Sequence, residues 1–174
     1  MSISREKLDA LRVRLVEDQH SHGAILVVHP PEEELDFRDG YLDLIRELRA
    51  HSVDLLEIDL RTLPFEVLAS KGLIEKALKL DAQGARDARQ NLAGMVQRGC
   101  SHRIREAAAS APGAVLCCLH TASLYPWMSF SALLEEIENL VPNTLVIPFP
   151  GSEDGPALHF LGAADGYNYR ASRV

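Results

Sequence analysis

Asp59, His120 and Asp154 each stand at or just past the end of an apolar run, and Glu32 to Asp36 follow another such run. Carboxylates with an imidazole suit magnesium or manganese. An ion held there would equip the chain to hydrolyse a phosphate ester or to hold a nucleotide. The same acids can instead cap helices and satisfy loop amides. His29 and His120, each closing an apolar run, also fit as hydrogen-bonded residues flanking a sheet. The stretch VIPFPGSEDG, Val146 to Gly155, offers a second possibility. Gly151 and Gly155 can adopt positive φ, and the amides between them could form a nest for an anion. Glu153 and Asp154 put negative charge against that nest, so Asp154-Gly155 fits better as a tight turn after a buried strand.

Other chemistries find less support. A phosphate-binding P-loop needs glycine amides and a lysine after the first strand. Here Pro30 and Pro31 have no amide hydrogen to give, and Glu32, Glu33 and Glu34 repel phosphate. No GxGxxG occurs. Ser123 and Cys118 lack the sequence surroundings of an activated nucleophile. Cys117 and Cys118 point to opposite faces if their run is a strand, as small buried hydrophobes.

The elements that must position these residues follow from periodicity. Residues 4–19 place Leu8, Leu11 and Leu15 on one helical face. The continuous apolar runs AILVVH (24–29), VDLLEIDL (53–60), AVLCCLH (114–120) and TLVIPF (144–149) suit strands covered on both faces. Tyr41, Leu44, Ile45 and Leu48 recur at helical spacing, and Thr62 and Pro64 mark another helix start, with a break near Gly72. Residues 84–111 read as one long helix with an interruption near Gly99. Phe130, Leu133, Leu134, Ile137 and Val141 form an apolar stripe behind a Ser129 cap. YNYRASRV, 167–174, alternates enough to be a fifth strand, antiparallel or at an edge. Strands separated by helices predict a three-layer α/β/α domain, with a mostly parallel sheet of about five strands. It is a single domain over 1–174, with the first 20 residues as a helix packed on it.

The totals agree with a soluble fold: 174 residues, 47% hydrophobic and 25% charged, enough for one domain with a real core. The net charge of −7 opposes polyanions, so direct binding of nucleic acid is not expected. Arg98, His102, Arg103 and Arg105 read as a solvated helix face. A charged N-terminus and the lack of a long apolar run predict a cytoplasmic protein with no membrane contact. Three cysteines without CxxC spacing give neither a disulfide framework nor a zinc site.

Two aromatic clusters remain. Tyr125, Trp127 and Phe130 gather after a strand, and Tyr167, Tyr169 and Arg170 lie near the C-terminus. These residue types dominate hot spots at protein interfaces, and they also cover cores under long loops. SLYPWMSFSALLEEIENL (123–140), LVIPFPGSEDGPALHFLG (145–162) and YNYRASRV together resemble, in order and spacing, the BrxB family of BREX (bacteriophage exclusion) defence systems. VVHPPEEEL (27–35) and LLEIDLRTLPFEVLASKGLIEKAL (55–78) extend a softer likeness over nearly the whole chain. The resemblance implies a cytoplasmic accessory protein without catalysis or cofactor, which assembles with a PglZ-like protein and other BREX components and could also self-associate. Its contact surface would include Tyr125, Trp127, Phe130, Gly151, Asp154, Tyr167, Tyr169 and Arg170. The alternative is the metal-dependent hydrolase or nucleotide-binding domain built on Asp59, His120 and Asp154.

Overall fold

The computed structural model describes residues 2–17, 23–84, 86–125, 128, 130–137, 142–155, 157–161 and 171–174, without the side chains of 81, 86–89 and 130. The apolar runs become parallel strands. These are β1 (Gly23–His29), β2 (Leu55–Asp59), β3 (Val115–Leu119) and β4 (Thr144–Asp154), with β5 (Ala157–Phe160) and β6 (Ser172–Arg173) following. The order is β2-β3-β4-β1-β6, parallel throughout, and β5 pairs antiparallel with β4. Pro30 ends β1 because it has no ladder hydrogen to donate.

The helices are α1 (Ile3–Glu17), α2 (Glu34–Ala50), α3 (Leu63–Ser70), α4 (Ile74–Ala82), α5 (Arg86–Ser110) and α6 (Phe130–Ile137). From β1, the chain crosses through α2 to β2 at the far edge, then returns through β3 to β4. Right-handed crossovers running in opposite directions put their helices on opposite faces. The two cores follow that division. Ile25, Val27, Cys117 and Val146 pack with Leu11, Phe37, Tyr41 and Ile45 of α1 and α2. Leu26, Val28, Cys118 and Ile147 pack with Val67, Val96, Ile104 and Leu133 of α3, α5 and α6. Both faces of the sheet are thus covered, as the continuous apolar runs required. The two cysteines do face opposite cores.

Two expectations change. Residues 86–110 form one unbroken helix, because Gly99 serves packing: a Cβ there would lie 2.3 Å from Val67 Cγ1. β4 does not end at Phe149 but runs on to Asp154 and turns at Gly155 (φ 56°) into β5, a strand the periodicity did not reveal. Of the C-terminal strand expected over 167–174, Ser172–Arg173 pairs at the edge as expected, parallel to β1, and 167–170 lie outside the described residues. Arg14 donates to Ser172 Oγ at 2.8 Å, and that hydroxyl donates to Ala24 O at 3.1 Å, tying the strand to α1 and β1.

Candidate functional site at the carboxyl edge of the sheet

Ligands of open parallel sheets gather beyond the carboxyl ends of the strands. At this edge β1 delivers His29, β2 delivers Asp59 and Arg61, and β3 delivers His120. The first turns of α2, leaving β1 for the far edge, add Glu34 and Arg38.

His29 is fully buried. Its Nε2 lies 2.6 Å from Glu34 Oε2 and its Nδ1 lies 3.2 Å from Val27 O. Its ring stacks on Phe37, with centroids 3.8 Å apart and planes within 1°. His29 is therefore fixed on every side. Asp59 is gripped by Arg61 through the backbone N–H at 2.9 Å, Nε at 3.2 Å and Nη2 at 2.6 Å. The Arg61 side-chain hydrogen bond is the main reason that the Asp59 carboxyl sits below its usual range. His120 has φ 58° and ψ 43°, a left-handed conformation uncommon outside glycine. Its carbonyl accepts from Ser123 N at 3.0 Å and from Ser123 Oγ at 2.6 Å. Burial, and then the charge of Arg61, lower the proton affinity of its imidazole. Arg38 acts in the same direction, while Asp59 and Glu34 oppose it.

Asp59, His120 and Glu34 lie at this edge, where the charges of both acids act on the His120 ring. Asp154 does not join them. It lies at the exposed tip of the β4–β5 hairpin, four residues past Pro150, roughly 13 Å of strand at about 3.3 Å each. Among the described residues, no group of three or more His, Cys, Asp or Glu is arranged to hold a metal ion. Gly151 is no open nest either. It is buried in β4, and a Cβ there would lie 2.2 Å from His159 O of β5. Tyr125 is 55% exposed just beyond β3. Phe130 opens α6. Trp127, Tyr167, Tyr169 and Arg170 lie outside the described residues.

Arg38 and Arg61 were missed as site residues. Arg61 stands two residues past the end of β2 and Arg38 four past Glu34, a helical turn. Those two offsets are the signal that could have found them.

The family model for the BREX protein BrxB matches residues 56–174. The chain belongs to the BrxB family. It is thus a component of a BREX phage-defence system. No curated protein and no solved structure matches it. The BrxB match takes in Asp59, Arg61, His120, Tyr125 and Gly151, whereas His29, Glu34 and Arg38 come from the preceding β1 and α2. No helix among the described residues of this BrxB chain is long and apolar enough to cross a membrane. Its cysteine thiols are buried. Burial pushes Cys100 up to about 12 and Cys117 to about 11, and raises Cys118 as well, so none supplies a thiolate near neutrality.

Proposed function

We propose that this BrxB protein is a non-enzymatic assembly subunit of its BREX system, acting in the cytoplasm through contact with a PglZ-like protein and other components. The observation that carries this reading is Tyr125, a large aromatic side chain 55% exposed at the carboxyl edge, within the SLYPW stretch. Tyrosine in that setting is the kind of anchor on which binding energy concentrates. The edge around it supports the same reading. Pro30 and Pro31 stand where a P-loop would need amides, and the backbone at Gly151 is enclosed by β5. A groove of about 360 Å³ runs between α1, the Pro30–Pro31 corner and the hairpin, lined by Ile3, Lys7, Pro31 and Ser152 among others.

Co-expression with the PglZ-like protein of the same locus, followed by gel filtration at micromolar concentration, tests the proposal. A co-eluting complex that Tyr125→Ala weakens about tenfold or more, with an unchanged melting temperature, is the expected result. Separate elution of the two wild-type proteins would remove the partner. Stabilisation in a thermal shift that depends on magnesium or manganese, alone or together with ATP, would favour the hydrolase or nucleotide-binding alternative instead.

A further inference from the structure

We propose that Arg38, Arg61 and His120 form a binding site for a phosphate-class oxyanion at the carboxyl edge of the sheet. This inference is independent of the assembly reading and of any partner.

The two acids that act on His120 are already engaged. Asp59 is held by Arg61, and Glu34 lies at 2.6 Å from the buried His29. The cations are not used up. Two of the Arg61 nitrogens, Nε and Nη2, face Asp59, and the side chain is still 58% exposed. Among the described residues Arg38 has a single 3.5 Å contact, to its neighbour Asp39, and it is 40% exposed. Guanidinium N–H groups in excess of their acids are the donors that tetrahedral oxyanions recruit.

His120 supplies the third side. It is half-buried, and among the described residues its ring nitrogens have no hydrogen-bond partner. Its backbone is held left-handed by Ser123, a conformation that clusters at ligand clamps. One residue on, the Thr121 hydroxyl is buried with no partner among the described residues. The first turns of α2 and the segments after β2 and β3 thus bring polar groups to the place where this architecture binds ligands. A metal cation would meet two arginines there. A flat carboxylate accepts mainly in one plane, whereas a phosphoryl group accepts from several directions at once. Burial first, and then the charges of Arg61 and Arg38, lower the proton affinity of the His120 ring, while Asp59 and Glu34 oppose them. An anion beside the arginines offsets their field and adds its own negative charge, which favours the protonated, donating form of His120.

The test is an NMR pH titration of the His120 ring in the full chain, with and without inorganic phosphate, in chloride matched for ionic strength. A second arm replaces phosphate by AMP, to separate a bare oxyanion from a phosphomonoester. Phosphate or AMP should shift the ring signals saturably and raise the His120 pKa. Arg38→Gln and Arg61→Gln should each weaken that response about tenfold. Arg103→Gln on α5 should leave it unchanged. Identical titrations with and without both anions would overturn the proposal. So would a response that survives intact in the Arg38→Gln, Arg61→Gln double variant.

Discussion

Gly99 of α5 and Val67 of α3 touch so closely that a Cβ on the glycine would sit 2.3 Å from Val67 Cγ1 and 2.8 Å from Val67 Cγ2. Val67 is buried in the larger core, so its branched side chain has little room to yield. The glycine brings the two helices together.

Gly99→Ala is therefore expected to destabilise the fold. Alanine gains about 1 kcal/mol of helix propensity, but forcing a methyl into a packed core costs about 1–3 kcal/mol. Val67→Ala should recover much of the loss when combined with it, because the two side chains compete for one space. Urea unfolding of the two single variants and the double variant measures the coupling. A Gly99→Ala protein more stable than wild type would show that the helices separate freely.

Gly151→Ala meets backbone rather than side chain, since His159 O would lie 2.2 Å from the new Cβ. The hairpin has to open locally. β5 should lose amide protection over Ala157–Phe160, and with it the edge-to-face contact of Phe149 with Phe160 at 5.2 Å. Hydrogen exchange read by mass spectrometry reports this directly. Unchanged protection of β5, with the variant folded, would contradict the close approach.

Acidification should weaken the fold in two stages. The His120 ring binds its proton less readily when folded than an ordinary histidine does at about 6.5, so the unfolded chain takes up the proton first as pH falls through that value. Stability is lost there. Asp59 and Glu33 carry lowered carboxyl pKa values: Asp59 through Arg61, and Glu33 through the Ser4 side chain and backbone, the latter at 2.9 Å. Their contribution is whole above the ordinary carboxylate range and disappears as pH falls through and below it. Because these carboxylates are largely solvated, the second stage should be modest for each. Urea midpoints between about pH 3 and 7 trace both stages. His120→Gln should flatten the upper one and leave the lower in place. An upper stage undiminished in that variant would assign it to another group.

The two cores were legible in the sequence because burial on both faces of a strand leaves no polar position in it, as in AILVVH and AVLCCLH. The division of Cys117 from Cys118 followed from the two-residue period alone. The stop at Pro30–Pro31 and the turn at Asp154-Gly155 were equally readable, since each depends on one residue's own covalent geometry. The family likeness carried by residues 123–174 was also present in the linear order, and it fixed membership among BREX proteins.

What required the tertiary structure was every fact about which distant segments meet. Gly99 reads locally as a helix breaker; only the approach of Val67, more than thirty residues earlier, turns it into a packing residue. β5 is a short strand whose pairing with the extension of β4 supplies most of its definition. Asp59, Arg61, His120 and Arg38 come from two strands' ends and one helix. They become neighbours because the order β2-β3-β4-β1-β6 and the parallel run of these strands place them at one edge. Local sterics and periodicity act within a few residues and can be read along the chain. Strand order and site assembly depend on contacts whose partners are specified only once both faces of the sheet have been buried.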